Sequence, residues 1–216
     1  MGDIVQGKKR LFIIGAGGLG RELESWLTQS PGFGVKFDIV GFLDDNPKAL
    51  DDNPSDYRVI GTPLKYNYGS ADFVIFGIAD PVIKIKLYEN LINVVKLFTF
   101  IAPNTIIGKN NKIGEGSVIC PNCIITTNVK IGKCVFINCG SQIGHDSDIG
   151  SFSSIMSNVD IGGKCKIGSG VFIGSHVNII PTVNIENSAK IGAGSTVIKR
   201  VKEKSSVFGN PAKRVF

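Results

Sequence analysis

The sequence predicts two units of different class. Residues 1–100 read as an α/β, Rossmann-like half domain, and residues 101–216 as a parallel β-helix with a short C-terminal tail. Three observations carry this. Apolar strand-like runs alternate with helix-spaced segments in the first hundred residues, the pattern of βαβ units on a parallel sheet. A glycine-rich turn joins the first such strand to the first such helix. From Ile101 to Val197 every sixth residue is isoleucine, with valine last, seventeen positions in unbroken register; a six-residue period is that of a parallel β-helix.

In the first unit "RLFIIGAGG" is an apolar strand running into glycines, and "RELESWLTQS" continues with helical spacing of Leu23, Trp26 and Leu27. "KFDIVGFLDD" and "ADFVIFGIA" supply two more strands. "PVIKIKLYENLINVV" reads as a helix that Pro81 opens at its first turn.

In the second unit each hexad makes one short strand and one corner. The isoleucine points inward and stacks on the isoleucine three hexads later, so one coil takes 18 residues. The fifth residue is small or β-branched, from Thr105 and Ser117 to Val201, with Asn111 the exception, and fills the corner. Glycine after the isoleucine at nine positions tolerates the turn dihedrals.

Composition excludes several classes. No apolar run is long enough to span a membrane. The first residues lack the apolar segment of a signal peptide, so the cytoplasm is the expected location. Five cysteines, an odd number, do not suit a secreted disulfide framework. Cys120 and Cys123 have CxxC spacing but no second pair or nearby histidines, so no metal is expected. Residues 1–100 hold eleven cationic and twelve anionic side chains; residues 101–216 hold thirteen and six. Six of the thirteen follow residue 196. Without aromatic side chains interleaved, this charge suits a small phosphorylated ligand better than nucleic acid.

The candidate sites follow. Gly15, Gly17 and Gly20 have G-x-G-x-x-G spacing between strand and helix, where backbone can approach phosphate at a helix N-terminus. Asp44 and Asp45 end the next strand, where a carboxylate can hold a ribose hydroxyl. About one hundred residues are too few for both halves of a dinucleotide domain, which favours a nucleoside diphosphate over NAD. His145, one of two histidines, is followed by Asp146. Imidazole suits a general base near neutral pH, and a neighbouring carboxylate can fix its tautomer. The plain alternative is an exposed loop histidine. His176 has no acidic neighbour and reads as structural or as cofactor rim.

Over essentially its whole length the chain resembles the hexapeptide-repeat nucleotide-sugar acetyltransferases of the PglD and NeuD kind. The resemblance lies in "GAGGLGRE", "GFLDD", "INCGSQIGHD", the unbroken hexads and "VFGNPAKRV". It implies a left-handed β-helix, a homotrimer, acetyl-CoA as acyl donor, and a nucleotide-linked amino sugar (UDP or GDP) destined for bacterial surface glycans. It assigns the base to His145 and its polarising partner to Asp146. Substrate contacts fall to Gly15, Gly17, Gly18, Gly20, Asp44, Asp45 and Asn138, and cofactor contacts by position to Ser154, Gly163, Ser175, Ala193 and Lys213. The chain departs from the family at Leu19 and Ser154, where histidine is frequent. O-acetylation of a sialic acid or other sugar hydroxyl stays open, as does a nucleotide-sensing scaffold without catalysis. An NAD-dependent oxidoreductase is weaker. A zinc carbonic anhydrase would need more histidines than the two present.

Overall fold

In the computed structural model, residues 8–215 are described. The leader reading concerns residues 1–7 and lies outside them. No described helix is long and apolar enough to cross a membrane.

The chain forms two compact units. The first comprises residues up to Ile78 together with Lys86–Phe98. The second comprises Ala79–Ile85 together with the chain from Thr99 onward. The boundary expected at residue 100 therefore misses one segment: Ala79–Ile85, the start of the second helix, belongs to the second unit.

The first unit contains β1 (Lys9–Ile14), α1 (Gly18–Thr28), β2 (Phe37–Leu43) and β3 (Asp72–Phe76). The helix α2 (Pro81–Leu91) and β4 (Lys96–Leu97) follow. Its sheet is parallel throughout, in the order β2-β1-β3-β4. Leu11, Phe12, Ile13 and Ile14 of β1 are completely buried, as a strand covered on both faces requires. Leu23 and Leu27 of α1, one turn apart, bury its inner face. Helix α2 begins where the sequence places it: the Asp80 carboxylate accepts from the backbone N–H of Val82 at 2.8 Å and of Ile83 at 3.2 Å, ahead of Pro81 at the first turn.

The second unit is the prism. Two-residue strands, one per hexad, run from Phe100–Ile101 to Thr196–Val197 and stack into three parallel sheets. Partners are 18 residues apart, as in Ile137↔Ile155 and Ile143↔Ile161. This is the left-handed parallel β-helix class. The spacing tightens only at the end, where Ile185 pairs Val201 and Ile191 pairs Val207, each 16 residues on. From Ile119 onward the repeat isoleucines are buried, whereas Ile101 at the open end of the stack is 40% exposed. An inward residue needs a coil on both sides to leave water, and the first has one.

The fifth position does more than fill a corner. The hydroxyl of Ser141 donates to Met156 O at 2.8 Å and accepts from Val159 N at 3.1 Å. Ser117, Ser147 and Ser153 repeat this arrangement. Cys123 and Cys165 use their thiols as the donor, to Asn138 O and Ile180 O. These two cysteines are therefore repeat residues, and none of the five cysteines forms a disulfide.

Candidate active site

In the first unit the glycine loop is tied down by an acidic residue. Gly15 has φ of 95°, a left-handed conformation that favours glycine. The Asp44 carboxylate accepts from Ala16 N at 2.8 Å with one oxygen and from Asn46 N at 2.8 Å with the other. Asp44 thus holds the loop, and Asp45 beside it is exposed. The glycines divide by role. A methyl group at Gly20 would run into the Gly15 carbonyl oxygen, so Gly20 lets α1 close on the sheet. Around Gly17 and Gly18 the space is open, so a ligand can reach the backbone at the start of α1. The sequence reading missed Arg21, in the first turn of that helix. Its Nε is buried without a hydrogen-bond partner.

In the second unit His145 and Asp146 occupy a corner. From Asn110 to Thr182 the fourth hexad residue at this corner is left-handed, and Asp146 has φ of 59°, a conformation that aspartate and asparagine tolerate better than most. The pair stands on a fixed backbone: Asp146 N donates to Thr127 O one coil below, and His145 O accepts from Lys164 N one coil above. Nδ1 of His145 lies 2.8 Å from Oδ2 of Asp146, with both side chains about half exposed. An ionised carboxylate only accepts, so Nδ1 carries the proton and Nε2 is left as a base. Hydrogen bonds from His145, first, and then from Asn128 hold the Asp146 carboxyl below its ordinary range. That keeps it ionised beside the ring.

The other expected residues fall in different places. Gly163 lies against the imidazole itself: a Cβ there would come 2.6 Å from Nε2. Asn138 is buried, and its side-chain oxygen accepts from Cys139 N at 2.7 Å. Ser175 and Ala193 line a cleft of about 470 Å3 walled by Met156, Phe172, Ile191, Val207, Phe208 and Val215. Lys213 is exposed on the strand Lys213–Arg214, paired with Phe208 at that cleft. The correction concerns Ser154, expected at a cofactor. It is completely buried, and its hydroxyl accepts from Lys84 Nζ at 2.8 Å. Lys84 also donates to Cys134 O at 3.0 Å and Ser153 O at 3.2 Å. A hydroxyl covered in this way presents no surface to a ligand. Among the described residues no group of three metal-ligating side chains converges.

Two family profiles match the chain: the PglD N-terminal domain over residues 10–91 and the bacterial transferase hexapeptide, six repeats, over residues 104–139. A comparison with curated protein sequences finds no match. Among solved structures, the chain resembles the acetyltransferase domain of PglB from Neisseria gonorrhoeae in complex with acetyl coenzyme A, with a TM-score of 0.85 and 25% identity. That match covers 97% of this chain and 100% of that one. WeeI from Acinetobacter baumannii AYE matches at TM-score 0.69 and 26% identity, over 96% and 100%. PerB from Caulobacter crescentus, solved with CoA and GDP-perosamine, shares the fold at TM-score 0.84 and 22% identity, over 94% and 96%.

Proposed function

We propose that the chain, whose residues 10–91 match the PglD N-terminal domain and whose residues 104–139 match the transferase hexapeptide, is an acetyl-CoA-dependent N-acetyltransferase of a nucleotide-linked amino sugar. The observation that carries this is the His145–Asp146 pair, 2.8 Å apart, with Nε2 free on a prism corner. In the reaction the sugar amine attacks the thioester carbonyl carbon while Nε2 of His145 takes the amine proton. A C–N bond forms, the C–S bond breaks, and the CoA thiolate leaves to be protonated. Asp146 holds the tautomer and stabilises the imidazolium. No covalent acyl-enzyme is needed.

In the same reading the glycine loop serves the diphosphate, with backbone at Gly17 and Gly18 as donors. Asp45, exposed beside the loop-holding Asp44, serves the ribose. The apolar cleft at Ser175 and Ala193 suits the pantetheine arm of acetyl-CoA, and the basic tail suits its phosphates. A homotrimer belongs to this reading, since family prisms pair the base with a donor held by a neighbour. The acyl donor in this reading is supported by the similar PglB domain, which was solved with acetyl coenzyme A; PerB, which shares the fold, was solved with CoA and GDP-perosamine.

The test is thiol release from acetyl-CoA against UDP- and GDP-linked amino sugars, with free sialic acid as a hydroxyl acceptor and mass spectrometry of the product. An amide product with one amino sugar meets the proposal. An ester product from sialic acid alone moves the reaction to O-acetylation, and silence across the panel returns His145 to a scaffold corner.

A further inference from the structure

Asp146 is one of a column. The residues 18 positions apart at its corner from Asn110 to Thr182 are Asn110, Asn128, Asp146, Lys164 and Thr182, all left-handed, with φ between 58° and 69°. Three of them are joined by side-chain hydrogen bonds. Nδ2 of Asn110 donates to Oδ1 of Asn128 at 3.3 Å, and Nδ2 of Asn128 donates to Oδ1 of Asp146 at 3.0 Å. Oδ2 of Asp146 then meets Nδ1 of His145. The chain of bonds has a direction: Asn128 accepts with its oxygen from the residue below and donates its N–H to the residue above. It ends on the imidazole.

We infer that Asn128 is a positioning residue for His145, acting through Asp146: its amide occupies Oδ1 and so turns Oδ2 toward Nδ1 of the ring. A carboxylate about half exposed to water has other rotamers available. A donor fixed on the coil below selects one of them. Asn110 in turn presents the amide of Asn128 the right way round, because its own N–H needs the Asn128 oxygen. The charged groups facing Asp146 are the imidazole of His145 and the ammonium of Lys164, one coil above. Neither can replace the donor from below. The role assigned to Asn128 rests on the acetyl-transfer reading only for its kinetic consequence; the positioning itself needs no substrate.

The test uses the full chain and two variants. Asn128→Gly keeps the left-handed turn, which glycine favours, and removes only the amide. Asn128→Asp keeps the shape and replaces the donor with a like charge. The readout is the nitrogen NMR of the two imidazoles at alkaline pH, which separates Nδ1–H from Nε2–H tautomers; His176 is the internal reference. Wild type shows His145 as the Nδ1–H tautomer. Both variants lose that signature at His145 and keep His176 unchanged. Their kcat falls about three- to tenfold, the value of one hydrogen bond, with KM unchanged. An unchanged His145 signature in both variants overturns the inference. A wild type without acetyl transfer removes the proposed function alone, because the tautomer measurement still decides the role of Asn128.

Discussion

Gly163, one coil above, stands against the imidazole of His145: a methyl group on its α-carbon would lie 2.6 Å from Nε2 and 2.8 Å from Cε1. No side chain fits between that coil and the ring. The atom displaced is the end of a half-exposed side chain, so the ring and not the backbone gives way.

Gly163→Ala should therefore separate activity from stability. Thermal unfolding should stay within the small range of surface substitutions, about 0.5 kcal/mol. Turnover should fall by about a hundredfold, because a ring shifted by an ångström no longer meets the proton it removes. Steady-state kinetics beside a melting curve checks both. Unchanged turnover would separate Gly163 from the base.

Asp146 supplies a pH test. Its carboxyl lies below the ordinary range because His145, first, and Asn128 donate to it. A depressed folded value means its bond with the ring persists above the unfolded value and fades as pH falls through the folded one. Carboxylate NMR should find it titrating below 3.8. His145→Ala should move the midpoint upward, and by more than Asn128→Gly does.

Lys84 supplies another, with the same direction but in an alkaline window. It is 1% exposed with no carboxylate at its Nζ, only Cys134 O, Ser153 O and the Ser154 hydroxyl. Burial lowers its pKa to about 7 from the ordinary 10.5. Between those values the unfolded chain binds the proton and the folded chain does not, so stability rises as pH is raised from about 7 toward 10.5. Urea unfolding at pH 7 and pH 9.5 should show that gain in the wild type. Lys84→Met should reduce it, because the remaining groups are common to both proteins.

The corner serines should matter to stability alone. Ser141→Ala leaves Val159 N without its acceptor and Met156 O without its donor. The expected cost is about 1–3 kcal/mol, measured by urea unfolding. A loss below about 0.5 kcal/mol would mean that water replaces the hydroxyl.

The legible part of this protein was what repeats. Isoleucine every sixth residue gave the coil length and with it the pairing of Ile137 with Ile155. The Pro81 start of α2 was readable because a first-turn proline is a local signal, whereas the Asp80 cap came only with the structure. The same 18-residue step held two further contacts. Asn128 is 18 before Asp146 and Gly163 is 18 after His145, so both neighbours of the pair could have been found by subtraction and addition. Ser154 was misplaced because position in the repeat tells which coil a residue is on, and not what covers it. Lys84 covers it, from seventy residues away. Nothing periodic predicts that contact, and a lysine in "PVIKIKLYEN" looks like a solvated helix face.

The central claim is that Nε2 of His145 removes the proton from the attacking amine. The most direct measurement is thiol release by His145→Asn with acetyl-CoA and whichever nucleotide-linked amino sugar the wild type turns over. Acetyl-CoA binding is followed separately by calorimetry. The account predicts a fall in kcat of about a hundredfold or more, the contribution of a general base, with acetyl-CoA affinity retained. Near-normal turnover in that variant would contradict it.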